Sequence, residues 1–315
     1  MSFSIPDSMK TAIALIIFNR PHTTQRVFNA IREAKPAKLF VIADGIRQHC
    51  PDDVEKCAAT RKIIEQMDWD CQILCNYSET NLGTKKRVSS GLDWVFAQVK
   101  TAIILEDDCL PHPHFFPFCE ELLARFENDT RIMTISGNNF QFAQSKKSHP
   151  QRHEYSYYFS RYPLIWGWAT WRRAWQKYDL AMQHWETIRE GKWLEDLLDD
   201  HRAVKYWSRI FQSCHQGNLD TWDYAWTFTS WLQNSLSIIP NTNLVTNIGF
   251  SPNALNSKAV NSLFDNHPAR AISFPLEHPP FTIRDTQADK FTQSTQFDPS
   301  LNWRIKMKLR QILNV

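Results

Sequence analysis

The sequence predicts an α/β fold on a mostly parallel sheet, and three observations carry that prediction. Short β-rich apolar runs alternate with stretches of helical period, several runs end abruptly in polar clusters, and 315 residues suffice for one large core. TAIALIIF (11–18) reads as a buried strand ended by Asn19-Arg20-Pro21, and the following helix puts Val27, Phe28, Ile31 and Ala34 on one face. KLFVIA (38–43) is the second strand, stopped by the turn pair Asp44-Gly45. A helix from about Asp53 to Met67 leads to the strand CQILC (71–75). The next helix, Thr84 to Val99, carries Val88, Leu92, Val95 and Phe96 in its stripe. TAIIL (101–105) is closed by Glu106-Asp107-Asp108, and a helix over Phe115 to Phe126 precedes the strand RIMTIS (131–136).

Past Gly137 the texture changes. Residues 141–153 are polar and loop-like, and the tryptophan-rich RYPLIWGWATWRRAW (161–175) follows. Helical periodicity returns over Trp193 to His215 and in TWDYAWTFTSWLQ (221–233), and SLSIIP (235–240) is a short strand. The chain therefore divides into a first half over 1–140, a second half of the same domain over 141–255, and a C-terminal extension over 256–315. The extension ends in LNWRIKMKLRQILNV, a basic amphipathic tail that either packs as a helix or makes peripheral membrane contact.

Composition removes several function classes. Thirty-six Lys and Arg against 33 Asp and Glu give a net charge of +3, too small an excess for nucleic-acid binding. The longest clean apolar run, Ala12 to Phe18, is far short of the ~20 residues of a membrane span, and the N-terminus does not read as a signal peptide. A cytoplasmic protein with seven free thiols is the expectation. Only eight glycines occur, and neither GxGxxG nor GxxxxGK[ST] is present, which argues against common dinucleotide enzymes and P-loop NTPases. No CxxC pair and no HExxH supply a local zinc framework.

In an open parallel sheet, ligands bind beyond the carboxyl ends of the strands. Asn19-Arg20, Asp44 and Glu106-Asp107-Asp108 fall there. Three successive carboxylates repel one another unless a cation or ligand offsets them, and oxygen donors on a loop favour Mg2+ or Mn2+ completed by substrate phosphates. A nucleotide diphosphate meets that description. Trp222, Tyr224 and Trp226 flank Asp223, and such aromatic neighbours desolvate a carboxylate and raise its pKa toward a value useful to a general base. Asp220 is the fallback. Trp166, Trp168 and Trp171 either stack on a sugar or fill the core, and Gly167 permits close backbone approach.

Asn19-Arg20, Asp44 and AIILEDDCLPHPHFF resemble the nucleotide-sugar glycosyltransferases of the GT-A fold, in particular the N-acetylglucosaminyltransferase I type. NLGTKKRVSSGLDW, EDDCLP, ISGNNF, RYPLIWGWATWRRAW and TWDYAW resemble bacterial proteins labelled hemolytic-protein-like or family 2 glycosyltransferases, over roughly residues 11–250. The resemblance implies transfer of a sugar, with inversion, from a UDP-sugar to a hydroxyl of a glycan or lipid-linked glycan, in bacterial polysaccharide assembly. Residues 1–140 would hold the donor and 141–255 the acceptor. Asn19, Arg20 and Asp44 would hold the base and diphosphate, with Asp44 accepting from the uracil edge, and Lys85 would border them. Glu106 and Asp107 would face the ribose and sugar-phosphate, Asp108 would ligate Mn2+ or Mg2+, and Asp223 would be the base. Trp166, Gly167, Trp168 and Trp222 would form the acceptor side. The competing readings are a catalytically inactive scaffold of this fold and a sugar nucleotidyltransferase, although the latter class normally has a glycine-rich loop after the first strand.

Overall fold

The apolar runs form strands because β-branched and aliphatic side chains fill both faces of a sheet that helices cover. A computed structural model describes residues 9–141, 154–249 and 267–299. In chain order it contains β1 (Ala12–Ile17), α1 (Pro21–Ala34), β2 (Lys38–Ala43), α2 (Asp52–Lys62), β3 (Gln72–Tyr77), α3 (Gly83–Gln98), β4 (Thr101–Glu106), β5 (Cys109–Pro111), α4 (Phe115–Arg125) and β6 (Ile132–Ser136). The second half adds β7 (Tyr157–Ser160), β8 (Trp168–Trp171), α5 (Arg172–Trp175), α6 (Trp185–Glu190), α7 (Trp193–Leu197), α8 (His201–His215), α9 (Asp223–Leu232), β9 (Leu236–Pro240), β10 (Val245–Asn247) and α10 (Thr286–Thr292). The polar stretch 142–153 and the basic tail 301–315 lie outside the described residues.

Eight strands make one sheet in the order β3-β2-β1-β4-β8-β6-β9-β7, with β8 and β7 antiparallel to the rest. It is the mostly parallel α/β sheet that the sequence predicts. Strands from both halves interleave in it, since β8 pairs with β4 on one side and β6 on the other. The helix expected from 53 to 67 tightens into a 3-10 turn at Ile63–Gln66, and the one expected from 193 to 215 breaks between α7 and α8, where Asp200 caps α8 by accepting from Arg202 N.

One face of the sheet packs against α1 and α4, with Val27, Phe28, Ile31, Phe115 and Leu122 fully buried. On the other face α3, α5 and α9 cover Ala14, Phe40, Ile42 and Ile104 with Leu92, Val95, Trp175 and Trp226. A further aromatic core joins α6 and α8 to α9 through Trp185, Trp207, Phe211 and Trp231. Among the described residues no helix is long and apolar enough to cross a membrane, and all seven cysteines are unpaired.

Register fixes where the site lies. Ile16 stands beside Glu106 and Ile17 beside Ala43, so Asn19-Arg20, Asp44 and the carboxylate triplet leave the same edge of the sheet. A separate antiparallel pair, β5 with β10, matches Cys109 to Asn247 and holds the chain after Asp108 in place.

Candidate active site at the carboxyl edge of the sheet

Asp108 lies in the turn between β4 and β5. Its carbonyl accepts from Ile248 N at 2.8 Å, and its Oδ2 accepts from Arg20 Nη1. Arg20 Nη1 also lies 3.6 Å from Asp107 Oδ1, and Asp107 Oδ2 accepts from Phe18 N at 3.2 Å. One guanidinium from the end of β1 thus offsets carboxylates at the end of β4. Burial alone would lower its pKa, but Asp107, Asp108 and Glu106 outweigh that and raise it. Burial, together with Asp108 and Asp107, pushes Glu106 up. Asp107 is pushed up by burial and by Asp108 against the lowering effect of Arg20. The field of Asp223 also raises Glu106.

Asp223 opens α9. Burial raises its pKa, and the Thr221 hydroxyl, which donates to Oδ1, opposes the rise. The loop before it is tied to the opposite wall, since Asp220 accepts from Thr84 N and Lys85 N, each at 3.1 Å. Asp44 takes the two amides before these, with Leu82 N donating to Oδ1 at 2.9 Å and Gly83 N to Oδ2 at 3.0 Å. The N-terminus of α3, which would otherwise attract a phosphate, is filled by two carboxylates from different segments.

Several expected roles change. Asp44 is 7% exposed and also accepts from Gly45 N and Asn81 Nδ2, so its two oxygens already receive four donors and the chain itself takes the place assigned to a uracil edge. Asn19 donates to Asp53 Oδ1 at 2.8 Å, in a network where the Arg47 fork holds Asp53 well below the usual carboxylate range, at about 2. Lys85 directs its ammonium to the Cys214 carbonyl at 3.3 Å. Trp168 and Trp222 stack on each other at 5.5 Å and pack against Trp175 and Trp226, so their ring faces are taken by other side chains and they belong to the core. Gly167 has φ +63°, and a Cβ there would meet Val245 Cγ2 at 2.7 Å, so the glycine serves the close approach of β10. Trp166 remains half-buried, edge-on to Phe140, on the turn beside the end of β4.

The arginines of the tryptophan segment are also structural. Arg173 donates to the carbonyls of Phe126, Glu127, Asp129 and Ile132, and Arg172 to those of Val99 and Ala97.

Sequence reasoning missed Gly249. A Cβ there would overlap Asp108 Oδ2 and come within 2.9 Å of Arg20 Nη1, so the backbone closes over the ion pair. Its signal was its rarity, a glycine in a glycine-poor chain just after the last strand.

Among the described residues no group of three or more His, Cys, Asp or Glu converges as a ready metal cage. The donor set nonetheless fits a hard cation. Among the described residues, Asp108 Oδ1 has only the weak Cys109 thiol donor nearby, at 3.6 Å, and one or two carboxylates are what Mg2+ or Mn2+ takes from protein when phosphates complete the shell.

No family model matches the chain, and no curated protein matches it in sequence. Among solved structures, apo UDP-glucose pyrophosphorylase aligns over 75% of this chain and 93% of its own, at 9% identity and a TM-score of 0.37. Apo mouse xyloside xylosyltransferase 1 aligns over 70% and 81%, at 10% identity and 0.31. The 4-diphosphocytidyl-2C-methyl-D-erythritol synthase of Anaerococcus prevotii DSM 20548 aligns over 54% and 75%, at 14% identity and 0.31.

Proposed function

We propose that this chain is a metal-dependent, inverting glycosyltransferase that moves a sugar from a nucleotide-sugar, a UDP-sugar by the motif resemblance, to a hydroxyl of a glycan or lipid-linked glycan. The observation that carries the reading is the clustering of Glu106, Asp107 and Asp108 with Arg20 at the carboxyl edge of a parallel sheet, within the electrostatic reach of Asp223. Asp108 would hold Mn2+ or Mg2+ together with the donor diphosphate, and the ion supplies Lewis-acid stabilisation of the departing charge.

The chain's own residues account for the rest. Arg20 orients Asp108 and adds positive charge where the diphosphate sits. Glu106 and Asp107 face the ribose and sugar-phosphate, while Asn19, Asp44 and Lys85 position the loops that wall the donor side. Asp223 takes the acceptor hydroxyl proton on Oδ2, because Oδ1 is held by Thr221. Its raised pKa suits it to that transfer. Trp166 is the aromatic left for acceptor contact.

The test is calorimetric titration of metal-stripped protein with UDP, with and without Mn2+. UDP binding that needs Mn2+ and is lost in Asp108→Asn supports the assignment. Asp223→Asn should keep UDP affinity and lose transfer. Binding indifferent to both Mn2+ and Asp108 would remove the basis of the proposal.

A further inference from the structure

Asn138 is 1% exposed, and neither its side-chain nitrogen nor its oxygen has a hydrogen-bond partner. Buried amides are nearly always paired, so an amide orphaned at both ends calls for a partner from outside the chain, water or ligand. Among the described residues no other side chain has two orphaned polar atoms. Its neighbours offer it nothing. Gly137 N donates to Gly167 O at 2.7 Å, and Asn139 accounts for both ends of its own amide, donating to Pro240 O and accepting from Gln141 N.

Placement then says which side of the site it serves. Trp226 Nε1 donates to Thr134 Oγ1 at 3.1 Å, so alternate residues of β6 from Thr134 face α9, and Ser136 Oγ on that side accepts from Leu164 N. Asn138 is two residues further, past the carboxyl end of β6, and Asp223 lies one turn ahead of Trp226 on α9. Trp168 stands opposite Ser136 in the sheet, stacks on Trp222 beside Asp223, and also has a buried indole N–H without a partner. Asn138 therefore follows the end of a strand whose Thr134 and Ser136 face α9, the helix that Asp223 opens.

We infer that Asn138 binds hydroxyls of the acceptor sugar, holding the ring whose neighbouring hydroxyl is delivered to Asp223. A carboxamide offers two donors and an acceptor, the complement of adjacent sugar hydroxyls, which both donate and accept. It brings no charge for a diphosphate. This inference rests on the glycosyltransferase reading for the identity of its ligand, and on the orphaned amide for the existence of one.

The test measures melting temperatures of wild type, Asn138→Ala and Asn138→Leu, first ligand-free, then with UDP and Mn2+, then with a panel of methyl glucosides, galactosides, mannosides and N-acetylglucosaminides added. Removing an amide that has no partner leaves the ligand-free melting temperature unchanged or raises it. The response to UDP and Mn2+ is retained in both variants. The wild type's response to at least one glycoside is lost, its affinity falling roughly tenfold or more, as for a lost hydrogen-bonded contact. A drop of several degrees in both ligand-free variants would overturn the inference by making Asn138 a structural amide. So would a glycoside response that survives in the variants or is missing from the wild type. A wild type that ignores UDP overturns the glycosyltransferase reading instead, and Asn138 is then judged on the glycoside and ligand-free arms.

Discussion

Replacing Arg20 with Gln should move two affinities in opposite directions. Arg20 Nη1 is the cation beside Asp108 and Asp107, with the Arg20 side chain 32% exposed and the two carboxylates 14% and 8%. A fully buried pair broken on one side costs about 3–5 kcal/mol, and partial solvent access here reduces that to about 1–2 kcal/mol. The melting temperature in EDTA should fall by roughly 1.5–3 °C on that basis. The freed carboxylates then attract a divalent ion without competition, and losing one unit charge in a half-solvated site strengthens Mn2+ binding by about 1.4 kcal/mol, roughly tenfold. UDP, which loses a cation facing its diphosphate, should bind roughly tenfold more weakly at saturating Mn2+. Calorimetry with Mn2+ alone and with UDP at saturating Mn2+ reads both numbers, and Mn2+ should restore the lost melting temperature. If Mn2+ affinity falls together with UDP affinity, Arg20 does not compete at the metal position, and the charge balance derived for this edge is wrong.

Gly249→Ala should weaken Mn2+-dependent UDP binding at least about tenfold with a stability loss of only about 1–3 kcal/mol, because the new methyl displaces Asp108 and Arg20 without opening the core; unchanged titrations would contradict the close approach. Trp168→Ala should cost about 3–5 kcal/mol in denaturant unfolding, whereas Trp166→Ala, half-exposed, should cost clearly less, and equal losses would misplace one of them. Burial raises Asp289 to about 7. The folded state therefore keeps a proton that the unfolded chain has released, and this group's contribution declines as pH rises from about 4 to 7, by up to about 1.4 kcal/mol per unit. Relative to wild type, Asp289→Asn should gain stability across that window in urea melts at pH 5, 6 and 7, and a flat difference would refute the shift.

Long uniform patterns were readable in the sequence. TAIALIIF, KLFVIA and TAIIL are apolar throughout because helices bury both faces, and the stripe of α1 stands out for the same reason. β5 and β10 were invisible, since three-residue strands exist only through a partner more than a hundred residues away. β8 was hidden because WATW is as plausible in a loop as in a strand until β4 and β6 flank it. At the site, three like charges in a row marked Glu106-Asp107-Asp108, and the structure sets Asp107 and Asp108 against Arg20. The function of Asp44 was not, because the donors that saturate it arrive from Asn81, Leu82 and Gly83. Trp168 and Trp222 were ambiguous on principle, as a tryptophan beside a sugar and one in a core have the same neighbours in sequence.

The position of β8 between β4 and β6 also governs the order in which the sheet can be completed. The four parallel strands β3, β2, β1 and β4 have all been synthesised by residue 106 and can pair as soon as they emerge. β6 is synthesised before β8 yet has no direct seat beside β4, so it cannot join that sheet until Trp168–Trp171 have been threaded in between. Until then the free edge of β4 and the wholly apolar side of β6 stay open to other chains. A nascent chain stalled near residue 150 should accordingly hold a folded first half with an unsealed edge, and it is there that a chaperone, or an aggregate, would find it.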